Sequence, residues 1–338
     1  MNYKNVELFN VEEIHYTPDK SGVALYRFPF DVIDAIKGRG AFISRSNTGC
    51  EIRFVTNANV IWLTMEAVRE DAEITVFLGD IVYEKHTLKA GVKTTLQLQK
   101  NNVFGNVEEE ILKKLGKRFP VSLWRIYINN ENSHCILYDV NGLDGFVRPP
   151  MDNEVPKKKW LAYGSSITHG CWTADTSNSY IQVAARLLDV DVMCKGMAGG
   201  CMCEREMANY IKDADWDFAT LELGVNMYGI KTKEFKKRVQ YMIGTVHEAN
   251  PGRKVFVITP FPNINSFGLD KDRFDKNIDY CKILKETVEE ANSENVILIN
   301  GNEILTDNSY LCYDLVHPSE YGHERMGENL YRRLKDLI

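Results

Sequence analysis

The chain has no apolar run approaching the roughly 20 residues of a membrane helix. It also has no block of basic residues and no stripe of basic and aromatic residues. These absences argue against a spanning segment, and against nucleic acid or an anionic membrane as partner. The start, MNYKNVELFNVEEIHY, lacks a basic stretch followed by an apolar one, so no secretory signal is expected. Cysteine is present but scattered. Cys50, Cys135, Cys171, Cys194, Cys201, Cys203, Cys281 and Cys312 lack the spacing of a disulfide framework and read as reduced thiols of a cytoplasmic protein. His15, His86 and His134 have no metal-ligand spacing, and Cys201-Met202-Cys203 has no second Cys/His pair, so no metal is expected.

What is present is an ordinary globular composition. The 338 residues suffice for two domains with full cores; 26% are charged and 44% hydrophobic, with 41 Lys and Arg against 47 Asp and Glu, a net charge of −6. Over 1–150, short apolar or alternating runs recur between turns: VALYRF (23–28), CEIRFV (50–55), VIWLTMEA (60–67), ITVFLG (74–79), TTLQLQ (94–99), VSLWRIYI (121–128) and HCILYDV (134–140). Many strands with little helix predict an antiparallel β-sandwich, jelly-roll-like. One helix is expected over 107–117, where three glutamates precede Ile111, Leu112 and two lysines. Trp62 and Trp124 are expected in the core. The Gly-, Pro- and charge-rich stretch 142–159 reads as a linker, with a second domain over 158–338.

There the period changes. Strand-like runs WLAY (160–163), VDVMC (190–194), FATLEL (218–223), KVFVIT (254–259) and NVILIN (295–300) alternate with helical stretches near 179–188, 203–212, 233–248, 272–291 and from 319 onward. Such alternation predicts a parallel sheet with helices on both faces, α/β in class. Reactive groups of such sheets lie beyond the strands' carboxyl ends. Four clusters sit there: Gly164-Ser165-Ser166-Ile167-Thr168, then Lys195 to Gly200, then Gly224-Val225-Asn226-Met227, and Asp314-Leu315-Val316-His317-Pro318 ahead of the last helix. Each alone reads equally well as a turn or a helix cap. Ser166, after the first strand, is a candidate nucleophile that needs a base and an oxyanion hole. His317 can take its proton, and Asp314 three residues earlier can reach the other ring nitrogen.

These blocks resemble the SGNH (GDSL) hydrolase family, which carries Ser, Gly, Asn and His in that chain order; the resemblance covers roughly 158–338. It implies a three-layer α/β/α domain with Ser166 as nucleophile, Gly199 as backbone and Asn226 as side-chain oxyanion donor, and Asp314 with His317 as the acid–base pair. Ser165 departs from the family's Asp, which implies an altered hydrogen bond, and Cys194 stands where many relatives have Asn. The G-x-S-x-G elbow of α/β-hydrolases is absent, since Thr168 takes its second glycine.

The resemblance, in the two-domain form of bacterial carbohydrate esterases, implies a serine esterase for small acyl esters, first of all O-acetyl groups of sugars, with no metal and no organic cofactor. A general short-chain acylhydrolase or an acyltransferase is the alternative within the class. A catalytically inactive carbohydrate-binding protein is the alternative outside it. His169 is expected to face substrate or support the site, and His323 to lie on the surface or in packing. Trp172, Tyr228 and Phe261 are divided between lining the pocket and packing. A homo-oligomer stays open.

Overall fold

A computed structural model describes residues 1–100, 111, 114, 118–130 and 132–338. It divides into two compact units, Met1–Phe30 with Arg45–Lys157, and Asp31–Ser44 with Lys158–Ile338.

The first unit is built of strands β1 (Asn2–Tyr3), β2 (Val6–Phe9), β3 (Glu13–Tyr16), β4 (Val23–Tyr26), β5 (Glu51–Thr56), β6 (Val60–Ala67), β7 (Ala72–Leu78), β8 (Ile81–Leu88), β9 (Thr94–Gln99), β10 (Leu123–Ile128), β11 (Cys135–Gly142) and β12 (Val147–Arg148). They form two antiparallel sheets, β1-β2-β5-β10-β7-β8 with β12 on β5, and β3-β4-β11-β6-β9. Alternate residues of both sheets meet in one core, among them Leu8, Ile52, Ile74 and Trp124 from the first and Leu25, Leu63, Leu98 and Leu137 from the second. Each such side chain contributes about 1.5–3 kcal/mol by leaving water. The unit is therefore a β-sandwich.

Two expectations change here. Trp62 is 41% exposed, because in β6 it falls on the outward phase set by buried Ile61 and Leu63. The stretch 142–159 is not free linker throughout, because Val147 and Arg148 pair with Thr56 and Val55, and Val155 packs on Val55, Phe119 and Leu123. β5 and β10 are buried on both faces. On the outer face Glu51 accepts from Arg53 Nε at 2.7 Å and Arg125 Nε at 2.8 Å, and both guanidinium groups lie over the Phe119 ring. Charges so paired can be buried on a face that alternation alone assigns to solvent. The helix expected over 107–117 falls almost wholly outside the described residues.

The second unit holds strands β13 (Lys159–Gly164), β14 (Asp191–Gly196), β15 (Phe218–Glu222), β16 (Lys254–Ile258) and β17 (Val296–Ile299), all parallel, in the order β14-β13-β15-β16-β17. Its helices are α1 (Phe30–Ala35, all but its first residue in this unit), α2 (Gly38–Ile43), α3 (Ser166–His169), α4 (Tyr180–Leu188), α5 (Arg205–Asp213), α6 (Thr232–Ala249), α7 (Lys271–Glu290), α8 (Gly301–Ile304) and α9 (Glu320–Leu334). On one face of the sheet Trp160, Ala162, Val192, Phe218 and Phe256 share a core with Tyr180, Ile181 and Ala184 of α4 and Met326 and Leu330 of α9. The alternate residues Leu161, Tyr163, Ala219, Leu221, Val255 and Val257 are equally buried, as are the inner residues of α5, α6 and α7. That is the sheet with helices on both faces. Chain order reverses at β13, which lies between β14 and β15, and an open α/β sheet forms its crevice at such a point.

α1 and α2 were not expected. Both are only six residues long, α2 carries two glycines that weaken its helical signal, and the place of α2 is fixed by a long-range contact. A Cβ on Gly200 would sit 2.6 Å from the Gly40 Cα, so the two backbones touch. Gly200→Ala should therefore cost on the order of 1–3 kcal/mol as overpacking. Thermal unfolding is expected to show a lower Tm for Gly200→Ala and an unchanged one for Gly252→Ala, whose Cβ meets nothing within 4 Å.

His323 of α9 is fully buried and neutral in the fold: the Tyr180 N–H donates to its Nδ1 at 3.2 Å, and its Nε2 lies 3.2 Å from the Cys171 carbonyl, to which it donates. Burial holds its pKa at about 4, below the usual 6.5. The unfolded chain then binds more protons, so stability falls as pH drops from the unfolded toward the folded value. Urea unfolding should show wild type losing about 2 kcal/mol relative to His323→Gln between about pH 7 and about pH 5.

Candidate active site

The parallel register aligns the strand ends that carry the site. Gly164 pairs with Gly196 of β14, and Tyr163 with Leu221 of β15. β13 then turns at once into α3, whose N-cap is Ser165: its hydroxyl accepts from the Ile167 N–H at 3.2 Å. This is the hydrogen bond at the position where the resemblance implied Asp. The Ser165 N–H points the other way and donates to Glu222 Oε2 at 2.6 Å. Ser166 follows in the first turn, buried, and its Oγ lies 2.7 Å from His317 Nε2.

His317 comes from a loop built to hold it. Leu311 bridges to Pro318, the Cys312 N–H donates to the His317 carbonyl at 2.7 Å, and the Ile264 N–H donates to the Leu315 carbonyl at 2.7 Å. Asp314 Oδ1 accepts the N–H groups of Val316 and His317, both at 3.0 Å, and its Oδ2 lies 2.6 Å from His317 Nδ1. Burial alone would raise the Asp314 pKa, but the imidazole and the two amides outweigh it and hold the carboxyl below its usual range. Ser166, His317 and Asp314 thus form one hydrogen-bonded line across 151 residues of sequence.

The loop after β14 closes the other side. The Met197 N–H donates to the Gly164 carbonyl at 2.8 Å, and the Ala198 N–H to His169 Nδ1 at 3.4 Å. Gly199 has φ +69, a left-handed conformation that favours glycine, and a Cβ there would come within 3.1 Å of the Arg39 side chain. The Cys201 N–H donates to Asn226 Oδ1 at 3.1 Å. Among the described residues no acceptor is paired with the Ser166 N–H, the Gly199 N–H or the Asn226 side-chain NH₂. A site for developing negative charge needs donors of this kind.

The remaining residues divide. Trp172 is 44% exposed, with φ +72, an uncommon backbone for a bulky side chain, and stacks on the His317 ring at 5.9 Å. Tyr313, 86% exposed, meets Trp172 edge-on at 5.1 Å. Phe261 is buried in the core, and Tyr228 donates its hydroxyl to Asn277 at 2.5 Å. His169 is buried and supports the Ala198 turn, so it is a supporting residue and not an exposed one. Cys201 and Cys203 are buried thiols that burial pushes up in pKa.

Glu222 and Tyr313 escaped the sequence reading. Tyr313 left no signal beyond its place beside Asp314. Glu222 left one: a charged residue inside the apolar run FATLEL. It is 1% exposed, and burial pushes its carboxyl up to about 7 against the lowering effect of its bonds from Ser165 and Thr168.

Residues 162–325 match the GDSL-like lipase/acylhydrolase family. No curated protein sequence matches the chain. Among solved structures, the chain is similar to a salicylyl-acyltransferase from a tetracycline biosynthetic pathway, with a TM-score of 0.83 at 17% identity, covering 98% of this chain and 95% of that one. A protein of Bacteroides ovatus described as a GDSL-like lipase gives 0.70 at 17% identity, with 96% and 98% covered. A family two carbohydrate esterase from Clostridium thermocellum, in complex with cellohexaose, gives 0.67 at 12%, with 98% of each chain covered. These likenesses reach over both units and establish a shared fold. The parallel sheet with its reversal at β13 and the matched stretch lead to one assignment: residues 162–325 form a domain of the GDSL-like lipase/acylhydrolase family.

Proposed function

We propose that the protein is a serine esterase that removes small acyl groups, acetyl first, from carbohydrate hydroxyls. The observation that carries this is the line from Ser166 Oγ through His317 to Asp314, with contacts of 2.7 and 2.6 Å. His317 Nε2 takes the Ser166 proton as Oγ bonds to the ester carbonyl carbon. The carbonyl oxygen becomes an oxyanion, held by the Ser166 and Gly199 N–H groups and the Asn226 amide. Asp314 fixes the ring tautomer and stabilises the imidazolium. The C–O bond to the alcohol breaks, and the alcohol leaves with the imidazolium proton. Water then attacks the acyl-enzyme, giving its proton to His317; the second tetrahedral intermediate releases the acid, and Ser166 recovers its proton.

Two observations favour a sugar as the alcohol. Trp172 and Tyr313 present aromatic surface beside the imidazole, of the kind that packs on a pyranose face. A similar carbohydrate esterase binds cellohexaose. The likeness to an acyltransferase supports a second reading, in which an alcohol replaces water in the second step.

Turnover of p-nitrophenyl acetate should fall at least about 10³-fold in Ser166→Ala. Equal rates in the two proteins would end the esterase reading and leave a carbohydrate-binding protein on this fold. Incubation with acetylated xylo-oligosaccharides should release acetate. Cleavage of simple esters without that release would point to a general short-chain acylhydrolase, and acyl transfer to an added alcohol in preference to water would point to the transferase.

A further inference from the structure

Glu222 ends a strand whose every residue is buried, and no cation is paired with it among the described residues. Its Oε1 is buried without a hydrogen-bond partner. Such a carboxyl is costly in a core, where an apolar side chain would not be. Its Oε2, however, accepts the Ser165 N–H at 2.6 Å and the Thr168 hydroxyl at 3.2 Å. Because Thr168 spends its proton on Glu222, the Tyr180 hydroxyl 2.7 Å away must donate to Thr168. Both residues bonded to Glu222 flank Ser166, one at each end of its turn.

We propose that Glu222 is a positioning residue of the active site: by gripping the Ser165 amide and the Thr168 hydroxyl, it fixes the turn so that the Ser166 amide and hydroxyl address one carbonyl. The proposal rests on the reading of Ser166 as nucleophile. The groups near Glu222 are hydroxyls, thiols and amides, among them Tyr180 from α4, Thr168 from α3, Cys201 and Cys203 from the loop after β14, and Tyr228 from the segment after β15. The grip needs an acceptor at that reach. It does not need a charge.

The test is steady-state hydrolysis of p-nitrophenyl acetate by Glu222→Gln, Glu222→Asp and Glu222→Ala, with thermal unfolding of each. Gln keeps an acceptor at the same reach and should hold kcat within about threefold. Asp withdraws the acceptor by one methylene, and Ala removes it; both should lower kcat about tenfold to a hundredfold, the scale of a 1 Å misplacement, with KM within about threefold. Glu222→Asp carries the test if Glu222→Ala does not fold. Unchanged kcat in a folded Glu222→Asp or Glu222→Ala, a loss confined to KM, or a Gln variant as impaired as the Asp one would overturn the proposal. If wild type itself does not turn the ester over, the esterase reading fails and this role falls with it. If wild type is active and Glu222→Asp matches it, only the role of Glu222 fails.

Discussion

The second unit depends on a contact that leaves no room for a side chain. At Gly164 a Cβ would lie 2.2 Å from the Thr168 hydroxyl and 2.7 Å from Glu222 Oε2; at Gly196, its register partner, a Cβ would lie 2.3 Å from the His169 nitrogen. The short helix α3 therefore sits directly on the ends of two adjacent strands, and both ends must be glycine. No real Cβ contact is that short, so the turn could not begin where it does with any other residue at either place. The approach sets Ser166 at the point where the sheet order reverses. A looser turn would displace it from the crevice.

The partner of Ser166 is held by quite different means. His317 sits in a loop braced by the Leu311–Pro318 bridge, by two amides on Asp314 Oδ1, and by the Ile264 amide on the Leu315 carbonyl. Leu315 itself takes φ +55, which the surrounding bonds hold in place. Two separately braced pieces thus meet in the 2.7 Å contact of Ser166 with His317, beside the stack of Trp172 on the same ring. Precision at that junction comes from the rigidity of each side, since the imidazole itself is partly open to water. His323 joins the two in a further way, because its ring bridges the Tyr180 amide and the carbonyl that precedes Trp172.

Much of this was legible in the sequence. The runs 60–67 and 94–99 coincide with β6 and β9, and the five apolar runs after 158 each overlap a strand. Local chemistry suffices there: branched and aromatic residues in a run, bounded by turn formers. What failed was whatever depended on distant partners. β8 was missed because Glu84, Lys85 and His86 break its apolar alternation, and only pairing with β7 makes it a strand. The helices over 30–43 carry no local sign that Gly40 would meet Gly200. The same limit applies within the site. The blocks name Ser166, His317 and Asp314, which meet in one hydrogen-bonded line, since each block is contiguous in sequence. Glu222 belongs to the same cluster but sits one strand away, and only the register of β13 against β15 brings it under the turn.

The charge around the site follows from where the hydrogen-bond donors lie. Beneath the turn, burial disfavours every ionised form: the Glu222 carboxyl rises to about 7, the Tyr180 hydroxyl and Cys201 thiol rise well above their usual values, and the His323 ring falls to about 4. Asp314 moves the other way, because three N–H groups converge on its oxygens. The carboxylate that is favoured as an anion is therefore the one in contact with His317. On the proposed reading, a permanently charged Glu222 would oppose the oxyanion and disturb the field at the imidazole before any substrate bound. By raising the Glu222 pKa to about 7, burial lessens both effects, which on the proposed reading leaves more of the field at the carbonyl to the Asp314–His317 pair and the unpaired N–H groups.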